Sequence, residues 1–193
     1  SGAVTGVGGV AYRASGAVTL GGSVANTVSG ALSVSAGGGV TVSGAASGPS
    51  VSMSANGGDL TIGASGSISG TNGVTLGTTG AFINNRGATG VQSASGRWLV
   101  YSTSPTADTI GALAFAFIQY AATYPVDGAG ATAPAQATGN GLLYSLAPTL
   151  SFDLTGTISK TYDGTTAATL AAGNIVAAGL ISGDTLSLTG AYT

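Results

Sequence analysis

Histidine, cysteine and glutamate are absent from this chain of 193 residues. Without cysteine there is no disulfide framework and no thiolate nucleophile. Without histidine the serine–histidine arrangement for acyl transfer is excluded. Zinc and iron sites also lose their usual nitrogen and sulfur ligands. Charged residues make up 5% of the chain, against roughly 25% in ordinary globular domains. The formal net charge is −2, so there is no basic field to hold nucleic acid or anionic lipid. No apolar run approaches the ~18 residues of a membrane-spanning helix, and no signal-peptide pattern opens the chain. Neither nucleic-acid binding nor membrane insertion is expected.

Catalysis is expected to be absent too. The carboxylates Asp59, Asp108, Asp127, Asp153, Asp163 and Asp184 are spread through the whole chain, whereas a glycosidase or lyase needs them paired. Calcium asks for several clustered oxygens. Asp163 and Asp184 each sit beside glycine, a context that reads more simply as a turn. No catalytic, cofactor-binding or metal-binding residue is predicted, and no cofactor.

What is present is glycine, at 35 residues, and a 44% share of hydrophobic residues. High hydrophobicity with low charge is the opposite of a disordered composition. Such a chain can bury an aliphatic core but has little charge to keep copies apart, so ready assembly is expected. The opening Ser1-Gly2-Ala3-Val4 is already in mid-pattern, as in a piece of a longer export product.

Residues 1–96 carry short alternating runs separated by Gly, Asn or Ser. These are Val18-Thr19-Leu20, Leu32-Ser33-Val34, Val40-Thr41-Val42, Val51-Ser52-Met53, Leu60-Thr61-Ile62 and Val74-Thr75-Leu76. Period-two alternation puts aliphatic residues on one face and hydroxyls on the other. The runs recur at spacings near twenty residues, as from Val40 to Leu60 or Leu32 to Val51. Recurrence at that period without a helical pattern predicts a parallel β-helix, each coil stacking on the last at about 4.8 Å. Corners such as Asn56-Gly57-Gly58 and Thr71-Asn72-Gly73 supply turn residues. A hairpin sandwich would want more aromatics and tighter turns, and a silk-like stack is the other rival.

Residues 97–148 read as a cap and linker. They hold the single Trp98 together with Tyr101, Phe115, Phe117, Tyr120, Tyr124 and Tyr144. The open end of a solenoid exposes unpaired strand groups and core, and bulky residues suit the task of covering it. A sugar-stacking platform is the sharper alternative for these rings. Ile110, Leu113, Ala114, Phe117, Ile118 and Ala121 recur at helical spacing. They predict a short helix capped by Asp108 or Thr109. Residues 127–140, rich in Gly, Ala, Thr and Pro, read as a linker. Arg86 and Arg97 are expected to satisfy corner carbonyls or a carboxylate. Thr19, Thr41, Thr61 and Thr75 each sit between two aliphatics and form a candidate hydroxyl ladder that would order water or meet glycans. The plainer account is that threonine suits an exposed strand position.

Residues 149–193 alternate again through Leu150, Phe152 and Leu154, with turn signals at Asp163-Gly164 and Ser182-Gly183-Asp184. They predict the first strands of a small, incomplete β-sandwich. The fold class is therefore all-β: a solenoid, an aromatic-rich cap containing a short helix, then a partial sandwich.

Certain stretches resemble a known group. Phe82-Ile83-Asn84-Asn85-Arg86-Gly87-Ala88 and Gly96-Arg97-Trp98-Leu99-Val100-Tyr101-Ser102 resemble the close of the β-helix in filamentous haemagglutinin-like exoproteins of two-partner secretion. Residues 133–141 look like the segment that follows in those proteins. Lys160-Thr161-Tyr162-Asp163-Gly164-Thr165-Thr166 resembles the start of their YDG repeat domain. The resemblance implies a right-handed β-helix, export to the cell surface or beyond it, a role in adhesion or aggregation such as biofilm formation, and no catalysis. The N-terminal secretion domain expected of such exoproteins is not among these residues, and the YDG-like part is shorter than the family's domain. The expected partners are host or matrix glycans and proteins. Alternatively the partner is the chain itself, as the subunit of a head-to-tail extracellular filament joined by strand sharing.

Overall fold

The computed structural model describes residues 4–6, 8–27, 29–125, 129–165, 170–181 and 184–187. Asp127, Thr166 and Ser182-Gly183 lie outside them, so nothing is assigned to those parts of the expected linker and turns. The chain falls into two compact units, residues 1–146 and 147–193.

The first unit is a parallel β-solenoid of about six turns. Its strands are β1 (Val4–Gly6), β2 (Val10–Ala14), β3 (Val18–Leu20), β4 (Val24–Asn26), β5 (Ala31–Ala36), β6 (Val40–Val42) and β7 (Ala45–Ala55). They continue as β8 (Leu60–Ile62), β9 (Ser67–Thr78), β10 (Phe82–Asn84), β11 (Val91–Ser93), β12 (Trp98–Ser102), β13 (Phe117–Gln119) and β14 (Gly141–Tyr144). All pair in parallel, and coil stacks on coil in three strand positions.

The first position is the sheet β3-β6-β8-β10, in which Val18, Val40, Leu60 and Phe82 stand in register. The second is formed by β1, β4, the first part of β7, the first part of β9, and β11, aligning Val24, Ala46, Ile68 and Val91. The third holds β2, β5, the rest of β7 and of β9, then β12. There Val10, Leu32, Val51, Val74 and Trp98 form one inward column, and Tyr12, Val34, Met53, Leu76 and Val100 the next. Strands β7 and β9 each run through two positions, bending at the register shift between Gly48 and Ser50.

The alternating runs dictate this arrangement. In each of the runs from Leu32 to Leu76 the aliphatic residues point inward and are buried, while the Ser or Thr between them faces out, partly exposed. Burying one such side chain is worth roughly 1.5–3 kcal/mol. Stacking like on like also pairs the carbonyls and amides of the interior strands with those of the neighbouring coils.

The parallel sheet runs past residue 96. β12 pairs β9 on one side and β14 on the other. β13 then pairs β14, so the spatial order is β12-β14-β13 although β13 comes first along the chain. Beyond β12 the chain thus skips one level, lays down β13, and returns to fill the gap with β14.

The helix predicted over 110–121 does not form. Gly111 and Ala112 have φ of 61° and 63°, and Ala121 has 54°, left-handed values that break a right-handed helix. Thr109 instead bridges Ile83 in parallel, and residues 117–119 are strand. Ile110 and Leu113 pack on the core, but Phe115 and Ile118 are exposed. The helical spacing of these apolar residues is therefore an accident of a turn followed by a strand. Asp108 caps no helix. Its Oδ1 accepts from the Phe82 backbone N–H at 2.7 Å.

In the second unit, β15 (Ser151–Leu154) pairs antiparallel with β16 (Ile175–Ala178), and a 3₁₀ turn spans Ala172–Asn174. Asp163 Oδ1 accepts from the Thr165 backbone N–H at 2.9 Å and pairs with Lys160 Nζ at 2.7 Å, with Gly164 at φ 78° behind it. This is a turn, and the Lys160 partner holds the Asp163 carboxyl below the usual carboxylate range. Among the described residues of the whole chain, no helix is long and apolar enough to cross a membrane.

Candidate functional site

Two surfaces of the solenoid carry the residues singled out in the sequence, and a third is formed by other residues. On the first strand position, Thr19, Thr41 and Thr61 stack in register. The column continues with Ile83, bridged by Thr109. Thr75 does not belong to it: it lies in the other sheet, between Ser52 and Leu99. The ladder is three threonines long, with one hydroxyl per coil.

The aromatic residues part company. Trp98 points inward at the end of the Val10–Val74 column, 3% exposed, and its backbone N–H donates to Asn140 Oδ1 at 3.0 Å. Tyr144 is also interior, and Tyr120 stacks on it with ring centroids 5.9 Å apart. Burial pushes the Tyr144 hydroxyl pKa up. Tyr101, Phe117 and Tyr124 instead lie on the outer flank of the sheet, clustered with Leu99, Ala122 and Leu143. Two glycines make room for them. A Cβ on Gly141 would fall 2.2 Å from Phe117 Cζ, and one on Gly77 would fall 2.0 Å from Tyr124 Cδ1. Tyr101 and Tyr124 sit 5.1 Å apart, tilted by 39°. Phe115 stands apart, 40% exposed.

Beyond Gln119 the chain doubles back over this flank as a strap. The Tyr101 hydroxyl donates to Thr132 O at 2.9 Å, and Arg97 Nη1 donates to Gln136 O at 2.6 Å. Gln119 Oε1 accepts from the Ala135 N–H at 2.7 Å. Arg86 Nη1 likewise donates to a carbonyl, that of Ala64, at 3.2 Å. The two arginines thus secure backbone.

Two carboxylates that are distant in sequence come together. Asp59 Oδ1 accepts from the Ala81 N–H at 2.8 Å, while Asp108 takes Phe82 N–H and, at 2.6 Å, the Ser102 hydroxyl. Burial, and to a lesser degree Asp59, raises the Asp108 pKa to about 6, against the pull of its hydrogen bonds. Both groups hold the entry to β10. Among the described residues no group of His, Cys, Asp or Glu is arranged to hold a metal ion.

The third surface escaped the sequence reading. A groove of about 530 Å³ runs across four coils where the second and third strand positions meet. Its floor includes Ser47, Ser69 and Gln92, aligned in register one per coil, beside Gly48, Gly70 and Thr71. Its lining carries no charged side chain and no aromatic ring. Asn26 and Ser93 line it on the first and last of these coils, and each keeps a buried oxygen without a hydrogen-bond partner. The Asn26 amide nitrogen is spent on Gly8 O and Ser29 O. The one available signal was hydroxyl residues just before corner glycines, which looks like ordinary turn chemistry until the coils are in register.

The fold places the first unit among parallel β-solenoid repeat proteins. Residues 147–193 match the YDG domain. No curated protein and no solved structure matches the chain.

Proposed function

We propose that this chain is a non-enzymatic structural segment of a secreted or cell-surface bacterial protein, an adhesin of the filamentous haemagglutinin-like kind exported by two-partner secretion. The observation that carries the reading is the order of its parts, a parallel solenoid followed directly by a stretch matching the YDG domain. In this reading the solenoid is a right-handed, stiff, protease-resistant shaft. Tyr120 over Tyr144 closes the core as an aromatic cap, and residues 149–193 contribute part of a β-sandwich. Attachment to host or matrix glycans and proteins, or aggregation in a biofilm, is the work of its hydroxyl-rich faces. Beads coated with the chain should bind immobilised matrix glycoproteins above a coat of unrelated protein. Equal retention of both coats would sink the adhesin reading.

A second reading, a subunit of a self-assembling filament, is favoured by the second unit. Phe152 and Leu154 lie on one face of β15 and are 50% and 62% exposed, an uncovered apolar surface that a strand from a neighbouring copy would bury. Electron microscopy of concentrated protein distinguishes the two. Regular filaments with an axial repeat support this reading, and isolated rods return the preference to the adhesin.

A further inference from the structure

We propose that the groove lined by Ser47, Ser69, Thr71 and Gln92 binds an unbranched, uncharged polysaccharide lying along the solenoid axis, about one sugar per coil. The inference rests on the adhesin reading and gives it a site and a ligand class. Chemistry sets the class. The lining offers hydroxyls and carboxamides, each both donor and acceptor, and no charge. A sulfated or uronic-acid polymer would find no cation there, and neither would a nucleic-acid backbone. A polymer of neutral hydroxyls would find partners of its own kind.

Spacing narrows the class further. Ser47, Ser69 and Gln92 repeat once per coil, at the about 4.8 Å of stacked strands. That step is close to the length of one pyranose unit in an extended chain. An extended peptide advances about 3.3 Å per residue and falls out of step with the coils after one residue. The concavity is built by the backbone. Gly48 lies at the bend in β7, and a Cβ at Gly70 would strike Gly73 O at 2.2 Å, so the tight corner behind the groove admits no side chain at Gly70.

The test uses the whole chain and calorimetric titration with hexasaccharides of β-1,4-linked glucose, mannose and N-acetylglucosamine, with an α-1,4-glucan and an uncharged Ser/Thr/Gly peptide alongside. Ser69→Phe fills the groove from its floor, and Gln92→Ala removes one exposed carboxamide with little risk to folding. At least one of the neutral oligosaccharides should bind with a dissociation constant of about 1 mM or tighter. Ser69→Phe should weaken that binding at least tenfold and Gln92→Ala a few-fold, with both variants melting like the parent. The proposal falls if none of the sugars binds up to about 10 mM, if only the peptide binds, or if neither variant changes the affinity. Should the groove variants leave bead attachment to matrix intact, the groove proposal fails while the adhesin reading stands. Loss of attachment by the parent chain itself is the separate failure of that reading.

Discussion

The ring of Tyr124 lies over Gly77, and its hydroxyl meets Ser52 Oγ at 3.1 Å. A residue of the returning strap thereby crosses from β9 to β7 and ties the strap to two earlier coils. Gly77 is required by that contact, since a Cβ there would sit inside the ring. Gly77→Ala is expected to destabilise the first unit by about 1–3 kcal/mol through overcrowding and to open residues 129–136 to protease. In a Tyr124→Ala background the same change should be neutral or slightly stabilising, because alanine is better than glycine in an unobstructed strand. Denaturant unfolding of the four proteins in a double-mutant cycle measures the coupling. Additive effects would mean that the ring does not rest on Gly77.

Asp108 gives the solenoid a pH dependence of unusual sign. Its folded pKa, about 6, lies above its ordinary value, so the folded state binds this proton more tightly than the unfolded state does. The group's contribution therefore grows as the pH falls from 7 through 6 towards 4, and is lost as the pH rises through 6. Protonation leaves one oxygen to accept from Phe82 N–H and lets the other donate to Ser102. The shift allows about 2 kcal/mol after a discount for residual solvent. Asp108→Asn should flatten this slope and leave the protein at least as stable at pH 7. Urea titrations of both proteins at pH 4 and pH 7 check this, and identical slopes would refute it.

Asn84 is a polar residue in an aliphatic column, 1% exposed and in register with Ile62. Its amide donates to Gly87 O at 2.8 Å and Ile110 O at 3.0 Å, while Oδ1 accepts from Arg86 N–H at 3.1 Å. It thus shapes the corner after β10 and fastens the loop of the next coil. Asn84→Ala is expected to cost ~2–4 kcal/mol, because two carbonyls and an amide lose their partner at once. By contrast Thr41→Val, at a half-exposed outward position, should change stability by less than about 0.5 kcal/mol. Thermal melts of the two variants rank the positions, and a Thr41 effect as large as that of Asn84 would reverse the assignment.

Much of the solenoid was legible because its signal is local. Val40-Thr41-Val42 and Leu60-Thr61-Ile62 state their own inward and outward faces, and the pairing of Leu32 with Val51 follows from their spacing. What failed was whatever depended on coil length. Thr75, like Thr61, lies between two aliphatic residues, but an eleven-residue strand β7 and a twelve-residue strand β9 carry it into a different sheet. The aromatic residues were seen as one group, whereas alternation along β12 sends Trp98 inward and Tyr101 outward. The groove was invisible for a related reason. Ser47, Ser69 and Gln92 become neighbours only through stacking, and no single stretch of sequence contains it.

The inverted order of β13 and β14 is the feature most open to a direct test. β14 sits between β12 and β13, its four residues all buried, paired through Leu99–Ser102 on one side and Phe117–Gln119 on the other. Covalent continuity between β13 and β14 is then not what holds them together, and residues 136–138, exposed between them, can be cut. With a protease site inserted after Ala137, the cleaved fragments should co-elute in native gel filtration and separate only in denaturant. The unfolding midpoint should fall, because β14 now rejoins from a free chain instead of a closed loop. If β14 merely trailed behind β13 as the next strand in sequence, it would hold one neighbour instead of two. Fragments that separate in native buffer would show that arrangement instead.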